Sequence, residues 1–270
     1  MKINFAKLTA AGNDFILIDN RKNIIIHENC QSIAKKLCNR KYSIGGDGLI
    51  LLEKSIRKDF KMKYFNSDGS HASMCGNGAR SIAKFAYDSN ITNSKMVFET
   101  DAGTINANIL PNDKVRLNLY KPKDIKPNIE IEIDKIKINA NFINTGVPHT
   151  VIFVDDIEKI DLLKCGRKIR YNKIFAPNGT NVNFVQVVKN NTIFVRTYER
   201  GIEAETLACG TGIIAAGIIS VLKNFTKSPV NIIARGGDEL SVSLKNLNNK
   251  IGNVVLEGPV VVAFNGIVKI

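Results

Sequence analysis

The sequence predicts an α/β protein of the α+β kind, made of two pseudo-symmetric halves, each a mixed β-sheet or barrel wrapped around a central helix. Three observations carry this. Short β-branched runs dominate the chain. Two distant stretches share one layout, in which strand-like residues lead through a polar loop containing Cys-Gly into an apolar helix. The second of these helices, Ile213 to Leu222, is apolar on nearly every side, as a helix enclosed by strands must be.

The first stretch opens with Phe60 to Phe65, alternating as a strand does. Asn66-Ser67-Asp68-Gly69-Ser70 supplies turn residues, and Cys75-Gly76-Asn77-Gly78 leads into a helix from Ala79 to Tyr87. In the second, Ile193 to Tyr198 reads as a strand, Glu199-Arg200-Gly201 as a turn, and Cys209-Gly210-Thr211-Gly212 opens the apolar helix. Further strands are expected at Phe15 to Asp19, Leu49 to Glu53, Val115 to Leu119, Ile129 to Ile138, Val151 to Val154, Val182 to Val188 and Val230 to Ala234. A seam near residue 119 separates the halves, 1–119 and 120–262, with strand 263–270 a candidate to join the first.

With 270 residues, 44% of them apolar, the chain can bury a sizeable core. The apolar runs Ile213 to Leu222 and Val254 to Phe264 fall short of the roughly 18 to 20 residues a membrane span needs, so both are expected in the core and no membrane partner is expected. Met1 to Ala10 lacks the features of a secretory signal, and a cytoplasmic location is expected. The formal charge of +13 comes from basic residues that are scattered and interleaved with acids, as on a solvated surface, and no nucleic-acid motif accompanies them. Five cysteines without metal-site or disulfide spacing are expected to be reduced thiols.

Glycines around each helix start leave amide N–H groups open and the backbone permissive. The amides of Gly76, Asn77, Gly210 and Thr211 can therefore hold a substrate carboxylate, favoured by the helix dipoles, and the same field raises the thiolate fraction of an adjacent cysteine. Cys30, Cys38 and Cys165 read as small buried hydrophobes, whereas Cys75 and Cys209 each sit at a glycine-rich helix start, one per half. His149 can polarise a thiol or serve as a satisfied core residue; His27 and His71 read as surface residues. Glu199-Arg200 can grip an amine and a carboxylate, or form an ordinary salt-bridging turn. Asn13, Asn66 and Asn181 flank strands, where asparagine commonly makes turns.

Taken together, the motifs resemble the diaminopimelate epimerase family over nearly the whole chain. The likeness rests on Gly12-Asn13-Asp14-Phe15, Asn66 to Ser70, Cys75 to Arg80, Glu99 to Gly103, Pro148-His149, Asn181 to Phe184, Glu199-Arg200-Gly201 and Glu205 to Gly212, in that order. The resemblance implies the two-domain epimerase fold with its site in the cleft between the halves, and conversion of LL- to meso-diaminopimelate for lysine and peptidoglycan precursors. It implies no pyridoxal phosphate or other cofactor and no metal. Cys75 and Cys209 match the two catalytic bases, His149 and Glu199 the groups that adjust their ionisation, and Gly76, Asn77, Gly210 and Thr211 the carboxylate cradle. Asn13, Asn66, Asn181, Glu199 and Arg200 match the residues that hold the rest of the substrate. The partner is thus the small-molecule substrate, not nucleic acid, and the sequence leaves room for a homodimer. Gly48 stands where many members carry Gln, Val147 where many carry Asn, and one residue more than usual lies between Gly201 and Glu205. A racemase of another amino acid on the same scaffold, or a non-catalytic thiol protein binding zinc through Cys75, Cys209 and His149, are the alternatives.

Overall fold

The computed structural model describes residues 2–270 except 120, 190 and 248–249, and the side chains of 245–247 and 250 lie outside the description. The chain divides into two compact units: 1–118 with 257–270, and 119–256.

In unit 1 the strands are β1 (Lys2–Ala10), β2 (Asn13–Asp19), β3 (Gly48–Glu53), β4 (Phe60–Asn66), β5 (His71–Ala72), β6 (Lys95–Thr100), β7 (Gly103–Ile109) and β8 (Lys114–Leu119), with helices α1 (Cys30–Leu37) and α2 (Gly76–Asp88). Unit 2 holds β9 (Lys123–Ile133), β10 (Ile136–Asn144), β11 (Pro148–Phe153), α3 (Leu162–Arg170), β12 (Asn181–Val187), β13 (Thr192–Glu199), β14 (Ala204–Thr206), α4 (Gly210–Leu222), β15 (Val230–Ala234) and β16 (Glu239–Leu247). Strand β17 (Lys250–Pro259) leads the chain back into unit 1, where β18 (Val261–Lys269) pairs antiparallel with β1.

The pairing pattern is the same in both units. β1–β2 antiparallel, β2–β3 parallel, β3–β4 antiparallel and β4–β6 parallel are matched by β10–β11, β11–β12, β12–β13 and β13–β15 in the same senses. The first parallel pair of each unit is joined through a short outer helix, α1 or α3, and the second through the central helix, α2 or α4, because parallel strands need a crossover. The central helices lie on the opposite face: α2 touches β1, β2, β3, β4 and β7, and α4 touches β10 to β13, β15 and β16. Both sheet faces are therefore covered at β2, β3 and β12, whose runs are buried without alternation, whereas β4, β6, β13 and β15 alternate. Ile16, Ile18, Leu49 and Leu51 pack in the α1 core, while Ile50 meets α2 at Gly78. Val182 and Phe184 pack in the α3 core. Gly217 lets α4 lie close to β16, since a Cβ there would be 3.0 Å from that of Val242.

Two expectations are corrected. The run Ile129 to Ile138 is a hairpin rather than one strand: β9 and β10 pair Ile133 with Ile136 around Asp134 and Lys135, both at positive φ (51° and 67°). The run Val254 to Phe264 is core only in part. Val254, Leu256 and Val260 are buried, but Val261 and Phe264 are 58% and 49% exposed because β18 turns that face outward and packs Val268 and Ile270 on the α1 core.

Candidate active site

Within each unit, the chemistry collects where the parallel strand pair begins. In unit 1, Asn13 opens β2, Gly48 opens β3 alongside Phe15, and Asn66 closes β4 opposite Gly48. Unit 2 places His149 beside Asn181 in the parallel pair, with Glu199 closing β13. The Cys-Gly helix starts follow in both.

Cys75 is the N-cap of α2, with extended backbone, and the Gly78 N–H donates to its sulfur at 3.4 Å. The amides of Gly76 and Asn77 belong to the first turn, which has no acceptor within the helix. The Asn77 side chain turns into the unit: its Nδ2 donates to Asn13 Oδ1 at 2.7 Å, and the fully buried Arg80 donates to its Oδ1 at 2.8 Å. Asn13 in turn donates to Asp47 at 2.9 Å. Burial pushes the Asp14 carboxyl upward, but hydrogen bonds and charge from Arg40 and Lys7 outweigh it and hold its pKa at about 2. Asn66 donates to Ser70 Oγ at 2.9 Å, bracing the turn after β4.

Gly48 is not an empty contact position. A Cβ there would lie 2.4 Å from the Tyr64 ring and 2.6 Å from the Phe65 carbonyl oxygen, so the aromatic ring occupies the space a longer side chain would need.

Cys209 is the N-cap of α4, and its sulfur lies 3.5 Å from the Thr211 hydroxyl. His149 Nε2 is 2.9 Å from that hydroxyl. The other imidazole nitrogen, Nδ1, is 3.1 Å from Asn183 Nδ2, which also donates to the Thr150 carbonyl at 3.0 Å. Thr197 completes the string, donating to Asn183 Oδ1 at 3.0 Å. Burial, reinforced by the positive charge of Arg200, lowers the His149 pKa to about 3, so the ring is neutral near pH 7. Gly212 gives the string its path: a Cβ there would sit 2.3 Å from Asn183 Oδ1.

Thr211, expected to offer its backbone amide, thus engages the site through its side chain as well. Asn183 and Thr197 were missed by reading the sequence, yet Asn183 carried a signal, being a polar residue flanked by Val182 and Phe184 in a strand buried on both faces. Asn181 is a brace, donating to the Pro148 carbonyl at 3.1 Å and accepting the Arg200 N–H at 2.8 Å. The Arg200 guanidinium reaches the Asn178 carbonyl at 3.2 Å and, with Val147, Pro148, Phe142 and Phe175, lines a cavity of about 620 Å³. The added residue after Gly201 is absorbed by a turn with Glu203 at φ 57°, whose carboxylate accepts the Gly201 N–H at 3.0 Å.

All five cysteines are thiols. Cys38 is pushed up to about 12 by burial, and burial with nearby Glu53 and Glu28 raises Cys30, so neither ionises near neutral pH. Cys165 packs against the α3 core. His71 contacts Asp101 at 2.8 Å on the surface. Among the described residues, no three of His, Cys, Asp and Glu are grouped to hold a metal ion, and no helix is long and apolar enough to cross a membrane.

Comparison with known proteins decides the family. The family model described as diaminopimelate epimerase matches residues 5–123 and 141–263. The chain belongs to the diaminopimelate epimerase family. Among relatives named diaminopimelate epimerase, that of Hydrogenobaculum sp. is 44% identical, with 97% of each chain covered. That of Aquifex aeolicus is also 44% identical, covering 98% of this chain and 97% of the relative. The archaeal protein from Archaeoglobus fulgidus is 39% identical over 88% of both. The fold is shared more widely than the family. A PhzF-family phenazine biosynthesis protein from Bacillus anthracis superposes with a TM-score of 0.77 over the whole of both chains at 15% identity. A hydroxyproline epimerase from Agrobacterium vitis gives 0.72 over 99% of this chain and 92% of its own, at 13% identity.

Proposed function

We propose that this chain inverts one stereocentre of diaminopimelate, converting the LL isomer to meso without cofactor or metal, with Cys75 and Cys209 as the two bases. The observation that carries the reading is the repetition of a cysteine-capped, glycine-rich helix start at the same topological position in both units of a diaminopimelate epimerase family member.

An α-proton of an amino acid is weakly acidic, so the site must stabilise carbanion character and hold a ready base. On this reading the first-turn amides of Gly76, Asn77, Gly210 and Thr211, with the two helix dipoles, bind the carboxylate through which that charge spreads. One thiolate removes the proton as the opposite thiol donates one, and the spent pair is left with thiol and thiolate exchanged. The reading requires both sulfurs to reach one α-carbon from opposite faces. Asn13, Asn66, Asn181, Glu199 and Arg200 serve the rest of the substrate, with the Arg200 fork suited to the distal carboxylate. The enzyme works in the cytoplasm on precursors of lysine and the cell wall.

A racemase for another amino acid is favoured by one observation: Val147 presents an apolar side chain to the cavity beside Arg200. Gly48 gives it no support, since Tyr64 fills that space. Dialysed, metal-free protein assayed on LL-diaminopimelate and a panel of single amino acids separates the two. The reading predicts inversion of diaminopimelate alone, and preferential turnover of another amino acid would overturn it.

A further inference from the structure

The string from Thr197 to Cys209 has a direction that the heavy atoms impose. The Thr150 carbonyl can only accept, so the Asn183 atom bonded to it is the amide nitrogen, and Oδ1 faces Thr197. The second hydrogen of Nδ2 then points at His149 Nδ1, which must be the lone-pair nitrogen of a neutral ring. The ring proton therefore sits on Nε2 and is donated to Thr211 Oγ1. With that oxygen's acceptor side engaged, the threonine O–H can point at the Cys209 sulfur. A rotation of the hydroxyl also lets it accept from the S–H, so the same heavy-atom arrangement serves thiol and thiolate.

The duplicated half provides an internal control. Gly78 in α2 packs against Ile50 and Met62, whereas Gly212 in α4 packs against Asn183 and Thr197. The same sheet position is filled by hydrocarbon in one unit and by a buried polar string in the other. Burying polar groups costs desolvation that hydrocarbon at the same position avoids, and here the string ends at the Cys209 sulfur. The string therefore answers to the sulfur above it.

We propose that Asn183 and Thr211 are positioning residues that stabilise the thiolate of Cys209, Asn183 by fixing His149 as the Nε2–H tautomer and Thr211 by passing that constraint to the sulfur as an O–H donor. The proposal rests on Cys209 being one of the two bases. Cys75 receives the Gly78 N–H directly and needs no such string. The charged group facing His149 is Arg200, whose positive charge reinforces the burial that keeps the ring neutral.

The test is a substrate-free titration. The Cys209 signal is the ultraviolet thiolate absorbance of each protein minus that of its Cys209→Ser version; subtraction of a Cys75→Ser version isolates Cys75. Thr211→Val should raise the Cys209 midpoint by about one pH unit, a tenfold loss of thiolate below the midpoint, because a bond to a charged group is removed. Thr211→Ser should restore it to within about twofold, and Cys75 should not move in either. Nitrogen NMR of wild-type His149 should show the proton on Nε2. Asn183→Asp should transfer it to Nδ1 and raise the Cys209 midpoint in the same direction. An unmoved midpoint in Thr211→Val, failure of Thr211→Ser to restore it, or an Nδ1–H ring in the wild type would overturn the proposal; the last two measurements decide even if Asn183→Asp does not fold. Failure of the wild type to invert diaminopimelate would sink the functional reading while leaving these titrations interpretable.

Discussion

The starts of α2 and α4 are the same device built twice and finished differently. Both cap a central helix with cysteine and follow it with two glycines. At α2 the sulfur takes a backbone N–H, and the neighbouring side chain, Asn77, is spent on Asn13 and Arg80. At α4 the equivalent side chain, Thr211, faces the sulfur and is tied to a buried imidazole. Duplication thus supplied two helix starts suited to an anion, and divergence of the supporting strands made the two sulfurs chemically unequal. Inversion needs one sulfur as thiol and the other as thiolate at any moment, roles that exchange with each turnover.

Removing either sulfur should have the largest effect. Cys75→Ala and Cys209→Ala are each expected to slow inversion by roughly 10²- to 10⁴-fold or more, the range a positioned base provides. Each variant should still exchange the α-hydrogen of one stereoisomer, and the two should differ in which one. Exchange of the same isomer by both, followed by proton NMR in heavy water, would break the assignment of opposite faces.

Next in size is the unit 1 string. Asn77→Ala leaves Asn13 and the buried Arg80 short of a partner and should lower stability to urea by about 1 to 3 kcal/mol. The Cys75 titration should stay where it is, because a backbone amide serves that sulfur. A shifted Cys75 midpoint with unchanged stability would show that Asn77 acts as Thr211 does.

His149 supplies the most specific effect, one confined to a pH window. Its folded pKa, about 3, lies below the ordinary value of 6.5, so between those values the unfolded chain binds the extra proton. The stability tied to the neutral ring is complete above about pH 6.5 and is lost as pH falls toward 3, by up to about 1.4 kcal/mol per pH unit. His149→Gln should flatten that slope in urea titrations run at pH 4 to 6. Asp14 acts in a lower window, between 3.8 and about 2, so only the tail of its effect reaches above pH 4. An unchanged slope in His149→Gln would mean that the ring is not buried neutral.

Much of this was legible in the sequence because glycine and cysteine at a helix start have few other uses, and because continuous apolar runs such as Leu49 to Leu52 mark strands covered on both faces. The hairpin at Asp134 and Lys135 was hidden because it lacks the Asn-Gly or Asp-Gly pair that usually marks two positive φ angles. The exposure of Val261 and Phe264 was hidden because composition cannot say which face of a strand is covered. Asn183 and Thr197 escaped because a polar residue in a strand reads as a surface position until the sheet is seen to be covered on both sides. The role of Gly48 required the position of the Tyr64 ring, which no spacing in the sequence records.

The central claim is that two sulfurs of different character act from opposite faces of one carbon, and proton traffic in heavy water tests it most directly. Starting from LL-diaminopimelate, early meso product should carry deuterium at the inverted carbon while the remaining substrate stays almost unlabelled, because the proton taken by one sulfur is not the one delivered by the other. Early product that retains the original hydrogen would mean that a single base swings between faces, and the assignment of Cys75 and Cys209 as a pair would fail.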